Sequence, residues 1–265
     1  MSQYHFIGAG QMAEAMLRAA IKRAGIEASC FSLSDIDEQR VAYLQSHYQL
    51  PSSITKEQAI TQADYIVIGV RPQDDVASVC AEVCQLNQHA TIISIIAGVT
   101  LETLSQLLGD KQPIARIIPN TLTDTGFGYS GVVLNEYVEK ELMQPFLESF
   151  GKVMYLEERM LDIFTGFGVA GVNYVYYFIE SLVDAGVLAG LPRPESKEVV
   201  YENLIGAVEM LKISGKHPRQ LLDINNSPAG VGMHGLYELN HSDFAAGLQR
   251  SVLAAVKRTT ELANE

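Results

Sequence analysis

The feature that most constrains this chain is a glycine-rich turn near its start, placed between a short apolar strand and a helix. Residues 4–7 have the pattern of a buried strand, and residues 14–20 have a helical pattern. The turn between them consists of Gly8, Ala9, Gly10, Gln11, Met12 and Ala13. In the order strand, glycine turn and helix, the pattern G-x-G-x-x-A predicts a loop that binds a dinucleotide.

Each small residue of this turn has a physical role in such a loop. Gly8 permits the tight turn, Gly10 lets a pyrophosphate approach the backbone, and Ala13 keeps the helix close to the strand. The phosphates would bind free N–H groups at the helix N-terminus. We therefore expect the cofactor to contact Gly8, Ala9, Gly10, Gln11 and Met12. The alternative is a plain strand-to-helix turn.

Strands and helices alternate from the start of the chain to about residue 157. Further strands are predicted at residues 30–33, 63–70, 91–96 and 115–118, with a helix at residues 38–47. Continuous apolar strands bounded by turns are typical of a parallel sheet covered on both faces. Residues 1–157 are therefore predicted to form an α/β domain, a doubly wound sheet of the Rossmann type that binds a dinucleotide.

After residue 157 the alternation stops and the pattern becomes helical. Helices are predicted at residues 161–189 and 196–214, in a short segment at residues 219–223, and at about residues 243–261. Residues 158–265 are therefore predicted to form an all-helical domain for substrate binding and dimerisation. Helices of such domains often bury themselves against a second subunit.

Composition and charge exclude several partners. The 265 residues include 31 acidic and 19 basic side chains, a net charge of -12, with no basic run. This argues against nucleic acid or an anionic membrane as the partner. No secretory signal is expected from residues 1–4, which have no basic or apolar run. Acidic residues interrupt the apolar stretch that begins at residue 169 before it could span a bilayer.

The cysteines indicate a reducing compartment. The chain has three, Cys30, Cys80 and Cys84, and their spacing is not that of metal ligands. Buried thiols in the cytoplasm are the interpretation, and no metal site is expected.

The end of the second predicted strand indicates which dinucleotide binds, because the ribose 2′ position lies beside it. Ser34 and Asp35 occupy that place. An acid there would hydrogen-bond a free 2′-hydroxyl and repel a 2′-phosphate, which favours NADH. The alternative is that Asp35 caps the following helix, with Asp37 as the rival cap. The choice between NADH and NADPH therefore stays open.

These motifs together resemble the pyrroline-5-carboxylate reductase family. The matching segments cover nearly the whole length and include residues 6–13, 70–73, 94–99, 116–121, 178–180, 184–187, 215–218 and 227–228. The resemblance implies an NAD(P)H-dependent oxidoreductase that reduces the C=N bond of a cyclic imine, pyrroline-5-carboxylate, to give proline in amino-acid biosynthesis. It also implies a homodimer formed through the helical domain, with a ring of dimers as a further alternative.

The same resemblance implies where the ligands bind. At the nicotinamide end, the implied cofactor-binding residues are Val70, Arg71, Pro72, Ala97, Gly98 and Asn120. The loop that contains Ser227, Gly230, Val231 and Gly232 is implied to offer backbone N–H groups to the substrate carboxylate. The cofactor would supply the chemistry, and the protein would supply orientation and electrostatics.

Two segments of the helical half depart from the family pattern. Residues 168–174 read GVAGVNY where the family has SGSGPAY, and residues 227–232 read SPAGVG where it has SPGGTT. Two serines and two threonines are thus replaced, so a changed imine substrate is an open alternative. Asn173, Tyr174 and His234 are polar groups that could supply new contacts, although interface packing for Tyr174 and a structural role for His234 are the alternatives.

Two other functions are weighed against the reductase. Hydroxyacid dehydrogenases of similar layout use a lysine as acid, but Val175 stands at that place. A paralogue that binds a dinucleotide without catalysis, as a sensor or assembly partner, is the alternative from a different class.

Overall fold

A computed structural model describes residues 1–71 and 73–262, except for the side chain of Leu262. The chain divides into two units. The first contains residues 1–170 together with the C-terminal residues from Ala254 onward, and the second contains Gly171–Leu253. The boundary expected from the sequence after residue 157 stays a prediction.

The first unit is built on a seven-stranded sheet. Its strands are β1 (Tyr4–Ile7), β2 (Phe31–Ser34), β3 (Tyr65–Ile68), β4 (Thr91–Ser94), β5 (Ile114–Pro119), β6 (Tyr129–Leu134) and β7 (Lys152–Tyr155). They lie in the order β2-β1-β3-β4-β5-β6-β7, and β1 to β5 are parallel. The predicted α/β fold with a dinucleotide-type sheet is confirmed.

Strand β6 reverses the direction of the sheet. It runs antiparallel to β5, and β7 then runs parallel to β6. Only residues 120–128 connect β5 with β6, which is too short for the helical crossover that a parallel strand requires. Strand β6 was not predicted from the sequence, and therefore this reversal was not predicted either.

Helices cover both faces of the sheet. They are α1 (Gln11–Lys22), α2 (Glu38–Tyr48), α3 (Lys56–Gln62), α4 (Val76–Leu86), α5 (Leu101–Leu108), α6 (Lys140–Glu148) and the short α7 (Leu161–Phe164). Phe6 belongs to one buried cluster and its neighbour Ile7 to another. Since successive strand side chains point to opposite faces, the apolar run of β1 is buried on both sides.

The C-terminal part is helical, as predicted. Its helices are α8 (Gly171–Leu188), α9 (Arg193–Ser214), α10 (Pro218–Ile224), α11 (Val231–His241) and α12 (Phe244–Leu262). The sequence did not predict α11, in which Gly232 and Gly235 lower the intrinsic helix propensity.

The continuous helix predicted over residues 161–189 is interrupted. Helix α7 ends at Phe164, a π-helical segment covers Thr165–Val169, and α8 begins at Gly171. Gly166 accounts for part of this, because a Cβ on it would lie 2.6 Å from the backbone nitrogen of Val256. Close approach of α12 therefore requires glycine there, and glycine weakens the helix.

In the part of the chain that the structure describes, no helix has the length and apolar character needed to cross a bilayer. The same residues contain no group of three or more histidine, cysteine, aspartate or glutamate side chains arranged to hold a metal ion. All three cysteines are free thiols. Burial raises the pKa of the Cys80 thiol to about 11, so this thiol is unreactive near neutral pH.

Candidate active site

The glycine turn joins β1 to α1 with the geometry that its motif predicts. Gly8 has φ +103°, and a Cβ on it would lie 2.6 Å from the carbonyl oxygen of Gly69. Only glycine fits this position without displacing the backbone. Gly8 N also donates to the carbonyl oxygen of Ser34 at 2.8 Å, so the turn is joined to the end of β2.

Gly10 is different, because no packing within the protein requires it. A Cβ on Gly10 would have no atom within 4 Å. Gly10 is the N-cap of α1 and makes no side-chain capping bond. The next residues, Gln11 and Met12, are the first of the helix, where backbone N–H groups have no partner within the helix. Open space beside an uncapped helix N-terminus fits the pyrophosphate of a dinucleotide.

Two side chains that follow β2 hold the middle of the turn. Ala9 N donates to Asp35 Oδ2 at 2.6 Å, and the Ala9 carbonyl oxygen accepts from Arg40 Nε at 2.9 Å. Asp37, not Asp35, caps α2, since its side chain accepts from the backbone nitrogens of Gln39 and Arg40. Asp35 is therefore not used as a helix cap; its Oδ1 accepts from Asp37 N at 2.9 Å, while its Oδ2 accepts from Ala9 N.

Arg40 is held within the protein on its other side as well. Its Nη2 pairs with the carboxylate of Glu14, which also accepts from Tyr48 Oη at 2.9 Å and Arg18 Nη1 at 3.1 Å. Burial acts to raise the pKa of Glu14, but the hydrogen bonds from Arg40 and Tyr48 outweigh it and leave the pKa below its ordinary value. Glu14 is thus an anion, and the guanidinium of Arg40 is engaged by Glu14 through Nη2 and by the Ala9 carbonyl oxygen through Nε.

The residues expected at the nicotinamide end follow three neighbouring strands. Val70 and Arg71 come after β3, Ala97 and Gly98 after β4, and Asn120 directly after β5. Because these strands are parallel, their carboxyl ends meet at one edge of the sheet, where such folds bind ligands. Pro72 lies outside the described residues.

Asn120 is the best oriented of these residues. Its side chain is buried, and Oδ1 accepts from the backbone nitrogens of Leu122 at 3.1 Å and Tyr129 at 3.3 Å. These bonds fix the amide plane and leave Nδ2 as a donor without an acceptor among the described residues. Arg71, by contrast, is exposed and paired with Asp74.

In the helical unit, the predicted carboxylate loop leads into α11. Gly230 N donates to the Ser227 carbonyl oxygen at 3.0 Å, and Gly230 is an N-cap without a side-chain bond. The first helical residues, Val231 and Gly232, present N–H groups that a helix leaves unpaired. Ala229 has φ +58°, a left-handed conformation that costs a non-glycine residue about 1 kcal/mol or more. The loop is therefore held in a strained form at the start of α11.

The sequence did not indicate Asn226 as a site residue. A Cβ on Gly232 would lie 2.1 Å from Asn226 Oδ1, so this amide oxygen occupies the space that a larger residue 232 would need. The Asn226 amide is oriented by donation from Nδ2 to the Leu222 carbonyl oxygen at 2.6 Å. A polar acceptor is thus present beside position 232 despite the loss of a hydroxyl.

Tyr174 uses its hydroxyl within the helical unit. Tyr174 Oη donates to the carbonyl oxygen of Ser251 at 3.2 Å. Its ring lines an apolar cavity of about 720 Å³ together with Phe178 and Phe244. This supports the packing alternative for Tyr174. Asn173 and His234 are exposed, and their substrate roles stay predictions.

A mostly parallel sheet of this order, with a glycine turn between β1 and α1, defines the class of the protein as a dinucleotide-dependent enzyme of the Rossmann type. The family model described as "Pyrroline-5-carboxylate reductase dimerisation" matches residues 158–262. A second model, described as "NADP oxidoreductase coenzyme F420-dependent", matches residues 3–98.

Individual proteins named as reductases of this kind are similar to the chain over nearly its whole length. Pyrroline-5-carboxylate reductase of Glycine max is 34% identical, over 97% of this chain and 94% of its own. Pyrroline-5-carboxylate reductase 1 of Bacillus subtilis (strain 168) is 29% identical, over 98% of this chain and 89% of its own. The crystal structure of Plasmodium falciparum pyrroline carboxylate reductase with NADP bound has a TM-score of 0.86 at 29% identity, and the match covers 99% of this chain and 98% of that one.

The chain belongs to the pyrroline-5-carboxylate reductase family. It is an NAD(P)H-dependent oxidoreductase that acts on a C=N bond, and its cofactor is a nicotinamide dinucleotide. The prediction of an enzyme of this family is confirmed, and the non-catalytic alternative is not supported.

Proposed function

We propose that this protein reduces pyrroline-5-carboxylate to proline as a homodimer and uses NADH in preference to NADPH. The observation that carries the proposal is the glycine turn, in which Gly8 is required by the backbone while Gly10 opens onto free space at an uncapped helix N-terminus. A chain that matches reductases of this name over nearly its whole length keeps the cofactor loop of that class.

Different residues are proposed to bind the dinucleotide and the imine substrate. The loop at residues 8–12 would hold the pyrophosphate, and the fixed Nδ2 of Asn120 would donate to a polar group at the nicotinamide end. The backbone N–H groups of Val231 and Gly232 would hold the substrate carboxylate, with Ser227 and Gly230 shaping the loop. When bound, the reduced nicotinamide supplies a hydride to the carbon of a protonated C=N bond. The protein therefore contributes orientation and charge.

The preference for NADH is proposed from the side chains that follow β2. Asp35 is a carboxylate fixed by Ala9 N, so it can accept from a ribose hydroxyl and would repel a 2′-phosphate. Arg40 is the cation on the adjoining helix, but Glu14 and the Ala9 carbonyl oxygen engage its guanidinium. A 2′-phosphate would therefore meet an uncompensated negative charge.

The homodimer is proposed from the dimerisation match and from the apolar surface of the helical unit. Exposed side chains there include Tyr176, Tyr177, Ile205, Val208 and Ile213. Apolar groups at this density are typical of a subunit interface. A ring of dimers stays a prediction, and the free thiols support the proposed cytoplasmic location.

The test is a spectrophotometric assay of the purified protein with NADH and with NADPH, on pyrroline-5-carboxylate and on five- and six-membered cyclic imines. We expect turnover of pyrroline-5-carboxylate at about 1 to 1000 per second, with kcat/KM at least about tenfold higher for NADH. Turnover restricted to another imine would contradict the substrate and indicate that Asn226 and Gly232 have changed the specificity. Preference for NADPH would contradict the role of Asp35.

The matched variants are Asp35→Asn and Asp37→Asn. Loss of the Asp35 charge is expected to reduce the preference for NADH about tenfold. Asp37→Asn keeps a helix cap and removes a charge of equal sign nearby, so it controls for general electrostatics. Equal effects of the two substitutions would show that Asp35 has no specific contact with the ribose.

A further inference from the structure

One charged side chain lies inside the sheet, where a charge is costly unless it is paired. Arg116 stands in the middle of β5, a strand that is buried at every residue. Its side chain is 4% exposed, and its Nε is buried without a hydrogen-bond partner among the described residues. Its charge is balanced by Glu158, whose Oε1 accepts from Arg116 Nη1.

The same oxygen of Glu158 has a second partner. It accepts from the backbone nitrogen of Leu101 at 2.7 Å. Leu101 is the first residue of α5, and the helix leaves this N–H group unpaired. One carboxylate oxygen thus joins the middle of β5 to the start of α5.

Both of these attachment points adjoin segments expected at the nicotinamide. Ala97 and Gly98 lie shortly before Leu101, and Gly98 takes a left-handed turn with φ +81°. Asn120 follows the end of β5, four residues after Arg116. Glu158 thus links the helix that follows the β4 loop to the strand that leads to Asn120, in addition to the direct pairing of β4 with β5.

We infer that Glu158 is a positioning residue for the nicotinamide half of the cofactor. It acts through Leu101 and Arg116 and holds two cofactor-contacting segments at a fixed separation. The inference rests on the proposed function, because that function places the nicotinamide beside Ala97, Gly98 and Asn120. The side chain of Glu158 is 33% exposed, so substitution there does not open a cavity in the core.

The experiment compares two ligands that differ in the nicotinamide. Binding of NADH and of ADP-ribose is measured by calorimetry for the wild type, Glu158→Ala and Glu158→Gln. We expect Glu158→Ala to weaken NADH binding about tenfold and ADP-ribose binding less than twofold, and to lower kcat on the imine substrate about tenfold or more. Glu158→Gln keeps an oxygen that can accept from Leu101 N and Arg116 Nη1 but does not balance the buried charge of Arg116, so we expect it to restore part of both losses.

Glu157→Gln is the matched control, since Glu157 is the adjacent residue and pairs with Arg159 at the exposed surface. It should leave both ligands and kcat unchanged. Equal weakening of NADH and ADP-ribose, or a lowered melting temperature with unchanged NADH binding, would overturn the inference and leave a structural ion pair. If the wild type turned over no imine, only the proposed function would be contradicted. The role of Glu158 would still be tested, because the dissociation constants of NADH and ADP-ribose are measured without an imine.

Discussion

The two units of this protein obtain stability in different ways. All three clusters of buried apolar residues lie in the first unit, on the two sides of its sheet. In Gly171–Leu253 the buried apolar residues are only Val172, Val183 and Val200, within the described part of the chain. The long helices α8 and α9 instead leave Tyr177 and Ile213 about four-fifths exposed, at 79% and 81%. The first unit thus has an extensive core of its own, whereas the second buries few apolar side chains, which supports the proposed dimer.

The two units also differ in how they form their proposed ligand-binding loops. The first unit fixes its cofactor loop by backbone geometry and by side chains that are buried or engaged, such as Glu14 and Arg40. The helical unit offers a strained loop and free N–H groups, in a region with little core of its own. Changes in the first unit should therefore affect the cofactor and the stability of a subunit, and changes in the second should affect association and substrate binding.

The largest effect is expected from Gly8→Val. The new side chain would collide with the Gly69 carbonyl oxygen and would require a left-handed backbone. We expect NADH binding to weaken at least about a thousandfold, which corresponds to about 4 kcal/mol. Calorimetry measures the dissociation constant, and size-exclusion chromatography should still show a dimer.

Gly25→Ala is the control for this substitution. Gly25 also has a positive φ, +67°, but a Cβ there would have no atom within 4 Å. It should cost some stability and leave NADH binding unchanged. NADH binding by Gly8→Val within tenfold of the wild type would show that the turn does not hold the cofactor.

The second-largest expected effect is a loss of stability of the first unit at acidic pH. His5 in β1 is 1% exposed and lies between Ser32 Oγ and Ser34 Oγ. Burial, with a smaller contribution from Lys56, lowers the pKa of His5 from 6.5 to about 4. The unfolded chain therefore binds a proton between these pH values and the native chain does not. Stability from this group is complete above pH 6.5 and is lost as the pH falls toward 4, by about 3 kcal/mol.

Urea unfolding of the wild type and of His5→Asn, at pH 7 and at pH 4.5, tests whether His5 causes this loss of stability on acidification. The variant should be less stable at pH 7, because the histidine hydrogen bonds change, but should lose less stability on acidification. An identical loss in both proteins would show that other groups cause the acid sensitivity.

A smaller effect is expected from Ile205→Asp in α9. Ile205 is 60% exposed, so an isolated subunit gains no cavity from this change. A charge in a subunit interface should raise the dissociation constant of the dimer about tenfold to a hundredfold. Sedimentation velocity over a dilution series measures this constant.

Leu142→Asp in α6, on the surface of the first unit, is the control for Ile205→Asp. Leu142 is 64% exposed, nearly the same fraction as Ile205. We expect the dimer constant to stay within twofold of the wild type. Similar weakening by both substitutions would remove the distinction between the surfaces of the two units.

The smallest effect is expected from Tyr174→Phe. The change removes the bond to the Ser251 carbonyl oxygen and should cost about 1 kcal/mol of stability, with kcat within about threefold. Tyr176→Phe on the same helix is the control. A loss of kcat/KM of about a hundredfold with unchanged stability would instead make Tyr174 a substrate ligand.

Much of the first unit follows from its sequence. Continuous apolar strands such as β3 are buried on both faces, so their position and parallel pairing can be predicted from local pattern alone. The pattern that predicts the glycine turn is equally local, whereas the steric requirement at Gly8 comes from the carbonyl oxygen of Gly69, which follows β3. The helical half of the chain was predicted less well. The glycines of α11 lower its intrinsic helix propensity, and Gly166 in the π-helical break is required by the approach of Val256, which is distant in the chain.

What the sequence by itself determined is the fold class, the cofactor loop and the resemblance to a reductase family, because these depend on residues close together in the chain. Only the tertiary structure decided that Asp37 rather than Asp35 caps α2, that Arg40 is engaged by Glu14, and that Glu158 joins Arg116 to Leu101. The last two of these contacts link side chains or backbone groups on different elements. Their geometry is set by how the elements pack, so no spacing along the chain could reveal it.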